Sequence, residues 1–237
     1  MTHPLESSEV QAFLGDVLAR SNILFVTGCG RSGTNLIQRC LSTVHDPVYY
    51  WGENDLSVIH EQRRIDGSNI VLKRRAGSHA TFALIPPQVK IVHIVRDPAA
   101  VLTSRVRTRA GYYIQPERWL AEYAGFTALR ARHPAENLAV VRYEDLMEDA
   151  DAVQARLERH LGVNFDLPFS RHTERNHLDG KIDKVTGLPR VWSNIEPERW
   201  RLSRQPGEGA QRMREIRDQL EPALSAFKRE FGYSDAS

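Results

Sequence analysis

The chain has 237 residues, 41% of them apolar and 26% charged, and a formal net charge of +2. That balance excludes bulk disorder, which goes with fewer apolar residues and more net charge, and the length suffices for one substantial core. No run approaches the roughly 20 apolar residues that cross a bilayer, and no basic block is long enough to argue for nucleic acid. Residues 1–10 hold no apolar stretch behind a basic one, so no secretory leader is expected. The two cysteines, Cys29 and Cys40, make no disulfide framework, and the expected address is cytoplasmic. The positive charge is 27 Arg against 5 Lys; Arg is the better bidentate ligand for phosphate-like anions, and genomic base composition enriches it too. In pairs such as Arg63-Arg64 and Arg74-Arg75 the expectation is solvated charge.

In chain order, Val10, Phe13, Leu14, Val17 and Leu18 have the spacing of a helix that buries one face, with Ser7 or Ser8 as its cap. Ile23–Val26 is a short apolar run ended by Gly28, the pattern of a buried strand. Leu36–Leu41 reads as helix, and Asn69–Lys73 as a second strand. Lys90–Val95 is a third strand, followed by Asp97-Pro98, which suits a helix start. Trp119, Leu120, Tyr123 and Leu129 fit another helix, Leu138–Val141 a fourth strand, and Val153, Leu157 and Leu161 a further helix. Met213, Ile216, Leu220, Leu224, Phe227 and Phe231 form one long amphipathic helix with Pro222 as a kink. Strands alternating with helices predict an α/β fold, a parallel sheet wrapped on both faces, with chemistry at the carboxyl ends of its strands.

The first strand runs into Gly28-Cys29-Gly30-Arg31-Ser32-Gly33-Thr34-Asn35 and then a helix. Glycines let backbone N–H groups turn inward, and a helix N-terminus adds partial positive charge, so this order predicts an anion-cradling loop. An ATPase loop carries Lys-Ser/Thr after its last glycine, the hydroxyl holding magnesium. Here Thr34 and Asn35 stand there, which suits an anion bound without metal. At the end of the third strand, Arg96 and Ser104, the latter on the second turn of the helix from Pro98, have two readings. One is a grip on one further phosphate, by charge-assisted hydrogen bonds from Arg96; the other, favoured on these residues alone, is an Arg96 paired with Asp97 or a neighbour and a surface Ser104.

Gly30-Arg31-Ser32-Gly33-Thr34-Asn35-Leu36 and Ile91-Val92-His93-Ile94-Val95-Arg96-Asp97-Pro98 with Ser104 together resemble the P-loop sulfotransferases, which use 3′-phosphoadenosine 5′-phosphosulfate (PAPS). The resemblance extends to Val140-Val141-Arg142-Tyr143-Glu144-Asp145-Leu146 and, loosely, to Arg190-Val191-Trp192. It implies a nucleoside-kinase-like three-layer P-loop architecture in a single domain over 1–237. That domain would comprise an N-terminal helix in 1–20, a cofactor-binding core over 23–160, a loop or cap region over 164–205 and a C-terminal helix over 208–233. It further implies that Gly30, Arg31, Ser32, Gly33, Thr34 and Asn35 hold the 5′-phosphosulfate, that Arg96 and Ser104 hold the 3′-phosphate, and that Tyr143 lies near the adenine. Arg190 is the expected C-terminal contact to the 3′-phosphate, with Lys181 and Lys184 as competitors. This chain departs from the family pattern at Asn35, where a second Thr is common, and at Arg31, where some branches have Lys.

Sulfuryl transfer needs a base for the acceptor and positive charge for the leaving phosphate. Val48-Tyr49-Tyr50-Trp51-Gly52-Glu53-Asn54-Asp55 resembles the Gly-Glu element of the protein-tyrosine and glycan branches, which nominates Glu53 as base. Its aromatic neighbours are expected to exclude water; Asp55 is the understudy, and a helix-start carboxylate is the other reading of Glu53. Lys73 ends the second strand where cytosolic sulfotransferases have Lys-x-His; position 75 is Arg here, so that base is missing, while Lys73 is placed to stabilise the transferring group. His93 reads as a core histidine, His172 and His177 as pocket candidates, and Cys29 as small filler. Arg105, Arg107 and Arg109 scatter around a helix and read as surface. No metal-site spacing is present. The expected acceptor is a hydroxyl, or less readily an amine, of a small molecule, carbohydrate or peptide. The rival readings are a P-loop kinase or NTPase and a nucleotide-binding protein without catalysis.

Overall fold

The computed structural model describes residues 3–63, 65, 67–75, 77–105, 111–176, 178–182, 189–191, 195 and 208–234. Five strands, β1 (Asn22–Gly28), β2 (Pro47–Tyr49), β3 (Asn69–Lys73), β4 (Lys90–Val95) and β5 (Leu138–Arg142), form one sheet in the order β2-β3-β1-β4-β5. Every pairing is parallel, with Phe25 opposite Leu72 on one side and Ile91 on the other. Each parallel step needs a crossover, and helices supply them. The chain is thus an α/β protein whose β1 lies at the centre, its carboxyl end between those of β3 and β4.

Side chains on a strand alternate between faces, and β1 divides accordingly. Ile23 and Phe25 pack with α1 (Ser8–Leu18), α5 (Pro116–Arg130) and the C-terminal helices α9 (Glu208–Leu220) and α10 (Ala223–Phe231). Leu24 and Val26 face α2 (Thr34–Leu41), α6 (Tyr143–Glu148) and α7 (Ala150–Leu161). Both faces are covered, which is why the strands read as continuous apolar runs. Each fully buried Leu or Ile adds about 1.5–3 kcal/mol.

The predicted elements between residues 8 and 161 form with small boundary shifts, and three details differ. The C-terminal helix is two helices, broken at Glu221-Pro222, since a proline ring has no N–H to continue the ladder. The helix after β4, α4 (Pro98–Leu102), is shorter than expected, so Ser104 lies just past its end rather than on its second turn. Strand β2 and α6 carry no prediction from the sequence. Helix α3 (Ser57–Gln62) begins after the carboxylates whose other reading is a helix start, and the region expected as loop or cap contains the short α8 (Thr173–Asn176) and the antiparallel pair β6 (Leu178–Ile182) and β7 (Pro189–Val191). No helix among the described residues is long and apolar enough to cross a membrane.

Candidate active site

The loop from β1 into α2 is shaped by positions that exclude a side chain. Gly28 has φ +146°, and a Cβ there would meet the Ile94 carbonyl oxygen at 2.6 Å. Gly33, at φ +101° before the first turn of α2, would bring a Cβ within 2.5 Å of the Tyr143 ring. Arg31 also takes the left-handed region, φ +71°, a conformation that costs a non-glycine residue energy. Ser32 is buried and folds its hydroxyl back onto the Cys29 carbonyl at 2.6 Å; its hydroxyl is therefore engaged within the loop. Thr34 is half-buried and Asn35 exposed at the start of α2, where the first N–H groups of a helix have no intrahelical acceptor.

The end of β4 meets this loop. Arg31 Nε donates to Ser104 Oγ at 2.9 Å, and Arg96 Nη1 donates to the Arg31 carbonyl at 3.1 Å. The Arg96 guanidinium lies over the Tyr143 ring, its carbon 4.2 Å from the ring centroid, a cation–π contact. Four residues predicted from three separate motifs, Arg31, Arg96, Ser104 and Tyr143, thus meet at the carboxyl ends of β1, β4 and β5. Tyr113, half exposed, lies under the other side of Arg31, with the guanidinium carbon 5.4 Å from its ring centre. Ile114 and Arg118 close over Gly30 from the start of α5.

On the opposite side of β1, at the end of β3, Lys73 Nζ lies 3.2 Å from Glu53 Oε1. The Glu53 segment is stitched to that strand: Tyr50 N–H donates to Val71 O at 2.9 Å and Asn54 N–H to Lys73 O at 2.8 Å. Lys73 is buried along its stem, its side chain 5% exposed, whereas Glu53 is 47% exposed. The expected exclusion of water by aromatic neighbours is absent, because Trp51 points outward, 41% exposed and edge-on to Tyr49. Asp55 is drawn to His3, 3.7 Å away.

Sequence reasoning missed Arg74. The expectation of solvated charge fails there, since Arg74 is buried between an ion pair with Glu122 of α5 and the Gly28 carbonyl, to which it donates at 3.0 Å. The buried Glu122 of the apolar-patterned α5 was the one available signal, because a buried carboxylate requires a partner. Its Oε1 has no hydrogen-bond partner among the described residues, and Glu122 lines a small cavity with Cys29, Ser32 and His93. Arg75 and Arg63 are exposed as expected.

The other candidates take structural places. His93 shares a hydrogen bond with Thr27 and stacks on Phe126, and burial, with Arg74 nearby, holds its pKa well below the usual value. His172 is buried against the Phe169 carbonyl rather than in a pocket, and burial lowers its pKa as well. Burial pushes the Cys29 thiol up to about 12, which fits inert filler. No cluster of metal-ligating side chains occurs among the described residues. Arg64, Arg107, Arg109, His177, Lys184 and Trp192 lie outside the described residues, as do the side chains of Lys181 and Arg190 on β6 and β7.

Residues 76–167 match a family model described as Sulfotransferase family. That segment contains Arg96, Ser104 and Tyr143 but neither the glycine loop nor Glu53 and Lys73. No curated protein matches the chain. Among solved structures, the sulfotransferase domain of the Synechococcus PCC 7002 olefin synthase aligns with a TM-score of 0.62 at 18% identity, covering 90% of this chain and 96% of that one. The sulfotransferase domain from the curacin biosynthetic pathway gives 0.56 at 14%, covering 90% and 98%. Mouse sulfotransferase SULT7A1, complexed with PAP, gives 0.51 at 14%, covering 98% and 92%. Residues 76–167 thus resemble the sulfotransferase family, and the chain as a whole shares the fold of these solved sulfotransferases.

Proposed function

We propose that this chain is a PAPS-dependent sulfotransferase that moves a sulfuryl group to a hydroxyl, or less readily an amine, of a small-molecule, carbohydrate or peptide acceptor. The observation that carries the reading is the meeting of Arg31, Arg96, Ser104 and Tyr143 beside a glycine loop, with Glu53 and Lys73 at the neighbouring strand end. Two guanidinium groups and an open helix N-terminus fit a ligand with two separate phosphate positions and no metal. The mouse neighbour was solved with PAP, the product such a donor leaves, which supports the same ligand here.

In this reading Gly30, Arg31, Ser32, Gly33, Thr34 and Asn35 surround the 5′-phosphosulfate, the buried Ser32 through its backbone. Arg96 and Ser104 hold the 3′-phosphate, Tyr143 flanks the base, and Arg190 is retained as a further 3′-phosphate contact. Glu53 takes the acceptor proton as the acceptor oxygen attacks sulfur and the sulfur bond to the bridging phosphate oxygen breaks. Lys73 and Arg31 stabilise negative charge on the departing phosphate. Half-exposed Glu53 is within reach of an incoming acceptor, with the ammonium of Lys73, buried along its stem, 3.2 Å away.

The test is transfer of labelled sulfate from PAPS to a panel of hydroxyl and amine acceptors without magnesium. Wild type is expected to label at least one acceptor. Glu53→Gln is expected to lower turnover on the order of 100-fold or more with PAP affinity nearly unchanged. Equal turnover in the variant removes Glu53 from the mechanism, and no sulfate transfer from PAPS together with transfer of labelled phosphate from magnesium-ATP favours a kinase.

A further inference from the structure

Glu144 follows Tyr143 at the start of α6 and is buried, 7% exposed. Among the described residues its carboxylate hydrogen-bonds to neither Arg96 nor the glycine loop. Its Oε1 accepts the backbone N–H of Asp97 at 3.1 Å, the residue directly after Arg96 and the N-cap of α4. Its Oε2 accepts the Tyr233 hydroxyl at 2.8 Å. Tyr233 follows the last helix, its ring 4.6 Å from the Arg142 guanidinium carbon and parallel to Phe227. One carboxylate therefore ties the turn that carries Arg96 to the end of β5 and to the C-terminal segment. The dipeptide acts on Arg96 twice, Tyr143 by its ring and Glu144 through the next peptide.

The geometry points to Glu144 as a positioning residue that fixes the direction of Arg96, with Tyr233 as its support, so that the C-terminal segment sets how strongly the chain prefers a nucleotide bearing a 3′-phosphate. The inference rests on the donor site proposed above. A carboxylate is suited to the task because it accepts two hydrogen bonds in opposed directions, and bonds to a charged group are stronger than neutral ones. Without it the Asp97 N–H loses its acceptor and the turn is free to rotate Arg96 away from the site.

A merely structural Glu144 lowers stability or all nucleotide binding alike; a positioning role weakens only the 3′-phosphate contribution. The readout is therefore the ratio of affinities for PAP and AMP, which differ by that phosphate, measured by titration calorimetry on the full chain. Glu144→Leu is expected to reduce the ratio on the order of tenfold with AMP affinity held within about twofold. Glu144→Gln, which keeps an acceptor for the Asp97 N–H, is expected to restore most of it. Tyr233→Phe removes one hydroxyl and is expected to reduce the ratio about threefold, and it decides the matter if the leucine variant fails to fold. Wild-type discrimination retained in every folded variant overturns the inference alone. A wild type that binds PAP no better than AMP overturns the donor-site reading and this inference with it.

Discussion

Gly33 shows how a single position constrains the site. Its φ of +101° and the Tyr143 ring both exclude a Cβ, so the residue that turns the loop into α2 also sets how closely the β5 end approaches it. Gly33→Ala is expected to destabilise the chain by about 1–3 kcal/mol in urea unfolding, and to weaken PAP binding because Tyr143 must move. Unchanged stability and affinity would show that the loop adapts. The place of Arg96 was legible because it follows the apolar run of β4, whereas Glu53, in the loop between β2 and α3, is nominated by resemblance and not by any element pattern. Their neighbours were less legible. Ser32 reads as a ligand by type, yet its hydroxyl bonds the Cys29 carbonyl, and nothing in the order of residues reveals that.

Among the elements, strands β1, β3 and β4 were readable because both faces are buried and only apolar residues satisfy that. Strand β2 is three residues long at the sheet edge, too short for any periodicity to register. The shortened α4 was not readable either, because Thr103 caps it and the chain turns back through the Arg105–Tyr112 bridge. That turn places Ser104 against Arg31, a pairing across 73 residues. Arg74 is the clearest miss, since a basic pair beside a strand end looks solvated until α5 is seen to bring Glu122 beneath it. Buried pairs of this kind cost desolvation and add little net stability. Their effect here is positional, since Arg74 also fixes the Gly28 carbonyl at the start of the loop.

At the scale of the whole molecule, His93, His133 and His172 all have pKa values lowered first by burial. Each folded-state value falls below the unfolded value of about 6.5, so the unfolded chain takes up protons first as pH drops. Stability is therefore full above about pH 6.5 and is lost as pH falls below it. Urea unfolding is expected to show a loss of about 1 kcal/mol or more per pH unit between pH 6.5 and 5. Asp46 and Asp166, whose values are lowered by hydrogen bonds from Ser68 and His45 respectively, remain charged throughout that interval. A flat profile from pH 7 to 5 would contradict the assignment of these histidines as neutral and buried.

The donor site is tested most directly by thermal unfolding with PAP in EDTA, beside ATP with magnesium. At 100 times its dissociation constant a ligand adds about 2.7 kcal/mol, or roughly 5–10 °C in Tm for a chain of this size. A shift of that order with PAP and no metal is the expected result. A shift with magnesium-ATP alone, or with neither ligand, would contradict the assignment of Arg31, Arg96, Ser104 and Tyr143 to a PAPS site.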